Sequence, residues 1–383
     1  MMMRGPAALA VLAFAAACAA RPPVAAPGDP PDAPAASLQL AGQFSIPPLT
    51  HFPPDSGPRF GGLSGLTSTG NPGEFFVVSD DRTDNRVYRM RISGEGASFH
   101  TQALNIIPFD QGGDAPRLDP EAIVVTPGGE LLVASEGRGT AAARLPPAIV
   151  QYTSAGRYVQ QLAVPQRYLP QAAGEAPRGT RANAGFESLT ITPSGDRLFT
   201  ATETALLQDG DPSTFESGTT ARLLEFRRRG DTFVPAREFA YPLDAVDPAP
   251  FTPGASVAGV VDLLALSDAE LVSLERTFIE ASGQGRGVNV IRLFRISLSG
   301  ADDISAIDSL KGAGRVRPVG KTLLLDLSGL AGLPAALNTL DNFEGLAFGP
   351  PLADGSRSLL LVSDDNFNAS QRSWFLLLRF TGR

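Results

Sequence analysis

Cysteine is almost missing from this 383-residue chain, occurring once, as Cys18. No intramolecular disulfide, CxxC redox pair or cysteine-ligated zinc site can therefore form. Histidine is nearly as scarce. His51 and His100 stand in unrelated surroundings, and neither HExxH nor a three-histidine metal site is present. Lysine occurs only at Lys311 and Lys321, which excludes a Walker-type GxxxxGK loop. With 32 basic against 40 acidic residues the net charge is −8, and the basic footprint of a nucleic-acid binder is lacking. No long amphipathic helix stands out either. What abounds is glycine (40) and proline (33), which favours many short elements joined by turns. At 43% hydrophobic residues the chain can still bury a large core.

The N-terminus reads as an address. After Arg4 the run ALAVLAFAAACAA (8–20) is apolar but too short to cross a hydrocarbon layer of about 30 Å. A basic residue, a short apolar stretch and small residues at its end predict a secretory signal over 1–18. Ala15-Ala16-Ala17-Cys18 resembles a bacterial lipobox, in which the cysteine is lipidated, with Ala15 where leucine is usual. The expected location is the periplasm or outer membrane, with membrane contact only through that lipid, or alternatively a secreted form. Residues 19–37 are rich in alanine and proline and read as a semi-rigid tether. That leaves 38–383 as a single domain, expected to be a monomer.

Within that domain one pattern recurs: an apolar strand, a tight turn and an apolar strand ending in an acid. It is found at GGLSGLTSTGNPGEFFVVSDDR (61–82), DPEAIVVTPGGELLVASEGR (119–138) and GFESLTITPSGDRLFTATE (185–203). VAGVVDLLALSDAELVSLER (257–276) and DNFEGLAFGPPLADGSRSLLLVSDD (341–365) repeat it, and each copy is followed by a further strand. Repeats of up to four antiparallel strands predict an all-β fold, a β-propeller with five visible four-stranded blades. A sixth is accommodated if the wide 257–340 interval merges two. A β-sandwich is the alternative but leaves the repeat unexplained. The last unit runs out of chain before its fourth strand, and LQLAGQFSIP (38–47) is free to supply it and close the ring.

Symmetry about each turn predicts which residues face each other. Glu121 with Glu136, Glu187 with Glu203, Asp262 with Glu275 and Glu344 with Asp364 flank their turns evenly, as do Ser64 and Asp80. Opposed like charges destabilise a sheet. Because first strands line a propeller's channel, these nine acids are expected to crowd one mouth, with Asp81 and Asp365 beside them. Such a cluster must protonate, bind cations or be neutralised by basic groups. Oxygen ligands without histidine or cysteine suit Ca²⁺ or Mg²⁺, and a roomy ring favours Ca²⁺. Arg82, Arg138 and Arg276 follow the second-strand acids closely. They are candidates either for a structural ring of ion pairs or for binding a phosphate or carboxylate. Ser64 in GGLSGL does not match GxSxG, since position 66 is leucine, and reads as a turn or channel serine.

At these residues the chain resembles a known family. FESLTITPSGDRLF, DPEAIVVTPGGELLVASEGRG and NFEGLAF followed by LLLVSDDNF are similar to the bacterial "esterase-like activity of phytase" domain. The resemblance spans roughly 60–380 and implies an exported β-propeller distantly similar to calcium-dependent phytases. It carries over Glu121, Glu187 and Glu344, with Asp80, Glu136, Glu203 and Asp364 closing the matching second strands. The near absence of lysine argues against a many-phosphate substrate. The expected function is a Ca²⁺-dependent hydrolase of phosphate or carboxylic esters, acting on a small anionic or ester substrate. Glu121, Glu187, Glu344, Arg82, Arg138 and Arg276 would be its catalytic groups. The alternative is a non-catalytic envelope lipoprotein that binds a ligand or partner.

Overall fold

Runs such as Phe75-Phe76-Val77-Val78 and Leu359-Leu360-Leu361-Val362 are apolar at every position. Because successive side chains point to opposite faces, a strand built from them must be covered on both sides. Radially stacked sheets meet that demand. In the computed structural model, which describes residues 37–52, 57–138, 145–171, 176–249, 252–282 and 287–381, the strands form five four-stranded antiparallel sheets. The expected leader, Cys18 and all of the tether but Ser37 lie outside the described residues, and Ser37 already belongs to the first strand.

That strand, β1 (Ser37–Ile46), is set aside for the last blade. Blade 1 comprises β2 (Leu63–Ser68), β3 (Glu74–Ser79), β4 (Arg86–Ser93) and β5 (His100–Pro108). Blade 2 comprises β6 (Pro120–Val125), β7 (Leu131–Ser135), β8 (Ala148–Tyr152) and β9 (Tyr158–Gln161). In blade 3 the inner strand β10 (Thr190–Ile191) is short, followed by β11 (Arg197–Ala201), β12 (Thr219–Arg229) and β13 (Thr232–Leu243). Blade 4 is the long one: β14 (Pro253–Ala265), β15 (Glu270–Ala281), β16 (Gly287–Ser297) and β17 (Gly320–Asp326). Blade 5 holds β18 (Asn342–Phe348), β19 (Arg357–Asp364) and β20 (Ser373–Thr381), with β1 as its outermost strand, so the two ends of the domain close the ring together. The interval that left room for a sixth blade holds no further sheet among the described residues. Part of it lies along the edge of blade 3, where the N–H groups of Ile304 and Val319 donate to the carbonyls of Glu238 and Ala240.

The core is correspondingly divided into blade interfaces. Phe75 and Val77 pack toward blade 5 against Leu360, Val362 and Phe375, while Phe76 and Val78 pack toward blade 2 against Ile123 and Val133. Leu132 and Ile149 meet Leu198 and Phe226, and Phe199 and Leu223 meet Val260 and Leu271. Leu274 and Leu293 meet Leu361, Leu376 and the lone tryptophan, Trp374. A fully buried aliphatic or aromatic side chain contributes about 1.5–3 kcal/mol, so five such seams hold the ring without disulfides. The inner strands close in a circle, β2 next to β6, β6 to β10, β10 to β14, β14 to β18 and β18 to β2. They enclose the channel that positions the acids.

Candidate functional site

The first hairpin of each blade opens at one end of the channel, and there its register slips by one residue. The slip falls at Ser64 in blade 1, Glu121 in blade 2, Val261 in blade 4 and Glu344 in blade 5. In blade 3 the Phe186–Thr202 bridge and the Thr190–Phe199 pair are out of phase by the same single step. Each slip is a β-bulge, which leaves one residue unpaired and re-aims it. The even spacing about the turns therefore does not translate into opposed carboxylates. Asp364 faces Asn342, and the N–H groups of Glu136 and Glu203 donate to the carbonyls of Asp119 (3.2 Å) and Gly185 (2.9 Å).

Blade 4 departs further from the sequence expectation. Its bulge is Val261, so Asp262 lies one step deeper in the channel, opposite Leu274. There its Oδ1 accepts from the N–H of Leu263 (2.8 Å) and its Oδ2 from that of Leu346 (2.6 Å), tying blades 4 and 5 together. Glu275 faces Val260 and turns away from the channel, accepting from the Tyr241 hydroxyl at 2.6 Å and the Lys321 ammonium at 2.7 Å. Neither acid lines the mouth. The place held by Asp80, Glu136, Glu203 and Asp364 in the other blades is held here by Arg276, opposite Gly259.

Seven of the nine expected acids do converge. Asp80, Glu121, Glu136, Glu187, Glu203, Glu344 and Asp364 line one cavity of about 420 Å³, with Arg82, Arg276, Asn183, Asn342 and Asn366 among its other walls. The blades approach closely enough for this only because glycines stand where they touch. A Cβ on Gly185 would fall on the Glu136 carbonyl, and one on Gly259 on the side chain of Glu203. Asp81 and Asp365 sit beside the mouth, bound to Arg86 (2.7 Å) and to the Gly62 N–H (2.9 Å).

Asp119, the first residue of the DPEA motif, is the acid that counting from the turns overlooked. One carboxylate oxygen from each of Asp119, Glu121 and Glu136 lies within 4.8 Å of the others, and all three residues are buried. Its position immediately before a proline-led strand carried no symmetry signal, whereas the motif itself did. Asp80 Oδ1 and Asp119 Oδ2 are buried without a hydrogen-bond partner. Hard, unpaired oxygens of this kind fit a hard cation.

Burial, reinforced by neighbouring carboxylates, raises the acids' affinity for protons. Asp80 is pushed up to about 7 by burial and by Glu344 and Asp119. Burial likewise carries Glu136 up to about 8, against hydrogen bonding from Glu187, which opposes the rise. Glu121, Glu187 and Asp364 are driven well above the usual range, first by burial and then by the surrounding negative charge. Glu203 and Glu344 are raised by burial, but Arg276 restrains both.

Two arginines meet these charges. Arg82 Nε reaches Asp119 at 2.7 Å, and its Nη2 reaches Asn183 at 2.8 Å and Glu136 at 3.5 Å. Arg276 bridges Glu344 at 3.2 Å, Glu203 at 3.3 Å and Asn342 at 2.5 Å. Arg138 does not line the mouth. Its backbone pairs with Leu145, which directs the chain away after Glu136.

Comparison with known proteins adds a family. The phytase-like family, described as esterase-like activity of phytase, matches residues 58–367. No curated protein matches significantly. Among solved structures the chain is similar to an endo-arabinase from Bacteroides thetaiotaomicron at 11% identity and a TM-score of 0.39, covering 83% of this chain and 96% of that one. It is also similar to a periplasmic gluconolactonase from Pseudomonas aeruginosa at 14% identity and a TM-score of 0.33, covering 89% and 99%.

Proposed function

Because this chain belongs to the phytase-like family, we propose that it is an exported, Ca²⁺-dependent hydrolase of phosphate or carboxylic esters working at the acidic mouth. The observation that carries this reading is the buried Asp119–Glu121–Glu136 triad, with unpartnered oxygens on Asp119 and the nearby Asp80. These residues would hold the cation, and an all-oxygen set suits Ca²⁺ rather than a transition metal. Ca²⁺, when bound, offsets the carboxylate charge and polarises an ester oxygen.

The chain's own groups supply the rest. Glu187 stands beside Glu136, and burial with the surrounding negative charge raises the proton affinity of both carboxyls, so the pair shares a proton. With a proton shared between them, the two carboxyls form an acid–base couple able to protonate a leaving oxygen and to take a proton from the attacking water. Glu344, paired with Arg276, which restrains the rise that burial imposes on it, is a second candidate base. Arg276 and Arg82 present guanidinium N–H groups to negative charge developing on the substrate. The described mouth contains no lysine, and Lys321 is committed to Glu275 and Asp244. A substrate with one anionic group therefore fits better than one with many phosphates.

The test is turnover of a panel of phosphomonoesters and carboxylic esters by the purified protein, in Ca²⁺ and after chelation. Hydrolysis of at least one class is expected, lost on chelation and restored by Ca²⁺. Absence of turnover across the panel would replace this reading with ligand binding, and turnover indifferent to the chelator would remove the cation from it.

Export rests on the leader and on Cys18. Cys18→Ser is expected to move the protein from the membrane fraction to the soluble one. Unchanged partitioning would exclude the lipid anchor while leaving the signal peptide in place.

A further inference from the structure

Blade 4 does not stop at the mouth. In blades 1, 2 and 5 the inner strand begins within two residues of its bulge, whereas β14 runs from Pro253 to Gly259 before reaching the bulge at Val261. At about 3.3 Å per residue this extension stands roughly 20 Å beyond the ring of acids. It is not an isolated hairpin. Gly254–Gly259 lie beside Arg276–Glu280, which in turn pair with Gly287–Ile291, so the extension is a three-stranded wall along one side of the mouth.

The two faces of the wall differ. On the outer face Ala258 and Ile279 are buried against Val246. On the face toward the mouth Val257 and Phe278 stand directly opposite each other, remain 49% and 36% exposed, and line the same cavity as the carboxylates. Phe278 is two residues beyond Arg276 on the same strand face, a separation of about 7 Å. Its ring lies against Gly287, where any side chain would collide with it, while part of the residue stays exposed. The remaining described rim residues, Asn183, Asn342 and Asn366, are polar, apart from the small Ala182. Among the described residues the mouth is therefore lopsided, with carboxylate oxygens and guanidinium at its floor and its two large apolar side chains together on one wall.

We infer that the Val257–Phe278 shelf is the specificity determinant of this mouth and seats an aromatic or branched apolar substituent of the ester whose anionic end meets Arg276. This inference rests on the hydrolase reading for its chemistry, but the shelf can be tested by binding alone. A group bound through Arg276 with only small polar substituents would leave the shelf wet. A phenyl group one bond from the anionic centre spans the distance and covers both side chains.

The experiment compares phenylphosphonate with methylphosphonate, neither of which is hydrolysed, by calorimetry in Ca²⁺, using the wild type, Phe278→Ser, Phe278→Leu and Val257→Ser. Thermal melts establish that each variant is folded. The wild type is expected to bind phenylphosphonate at least about 10-fold more tightly. Phe278→Ser should abolish most of that preference, Val257→Ser part of it, and Phe278→Leu should restore much of it. In parallel, the ratio of kcat/KM for phenyl phosphate over glycerol 2-phosphate should fall about 10-fold in Phe278→Ser, mainly through KM. Equal affinity of the wild type for the two phosphonates, failure to bind either, or a preference unmoved by Phe278→Ser would overturn the shelf. A preserved binding preference without turnover of any ester would retain the shelf and overturn the hydrolase reading instead.

Discussion

The cation-free protein is expected to lose stability as the pH rises from about 5 to 8, and to regain it on addition of Ca²⁺. The reason lies in the sign of the shifts at the mouth. Burial raises Glu136 from 4.5 to about 8 and Asp80 from 3.8 to about 7, so between those limits the folded protein binds protons that the unfolded chain has released. A folded state that holds the extra protons is favoured at low pH and loses the advantage as pH climbs through the folded values. Each pH unit over which one such proton differs is worth about 1.4 kcal/mol, so even one group yields a drop of several degrees in Tm. Ca²⁺ competes for the same oxygens and binds the ionised mouth best. At 100 times its Kd a ligand stabilises by about 2.7 kcal/mol, roughly 4 °C for a domain of this size. The Ca²⁺ increment should therefore be small at pH 5 and large at pH 8. Glu136→Gln should flatten the pH slope and shrink the increment while leaving the blades folded, because an amide keeps the shape and removes a charge. Melting curves at four pH values, with Ca²⁺ and with chelator, measure all of this. A Tm that climbs toward pH 8 without cation would contradict the assignment of the burden to these carboxylates.

Arg276→Leu is expected to be the most damaging single change at the mouth at pH 8. Arg276 is the cation in a ring position that is acidic in the other four blades, and its side chain is only 18% exposed. Removing it leaves Glu203 and Glu344 without their counter-charge, and breaking a buried pair in this way costs about 3–5 kcal/mol. The loss should shrink markedly at pH 5, where both acids can take up protons instead. Arg276→Lys should fall between the two, retaining the charge but not the fork that spans both carboxylates. Arg82→Leu offers the contrast. Its own side chain is 44% exposed but its partner Asp119 is buried, so its removal should cost about 1–3 kcal/mol, less than the loss of Arg276. Chemical denaturation of the three variants at both pH values separates charge from packing. An Arg276→Leu deficit equal at pH 5 and pH 8 would mean that the residue acts through its bulk.

Much of this was written along the chain in forms that do not depend on tertiary context. Apolar runs without alternation, glycine- and proline-marked turns and a fivefold recurrence require strands covered on both faces and therefore stacked blades. The missing fourth strand of the last repeat pointed to β1 as the closing strand. Seven of the nine acids belong to the mouth because strand ends alone determine which residues reach the channel opening.

Three things were decided only by the assembled ring. The bulges at Glu121 and Glu344 replace opposed carboxylates with a cluster shared between blades, because a bulge depends on how closely the next blade packs, as Gly65 does against the backbone of Glu121 and Ala122. In blade 4 Asp262 and Glu275 each stand one position away from the ring places, so both miss the mouth and Arg276 enters it, because neighbouring positions on a strand point to opposite faces. Asp119, Val257 and Phe278 entered the site through proximity rather than period. Sequence spacing reports which face of a strand a residue occupies, but distances across a channel between separate blades exist only once the ring has closed.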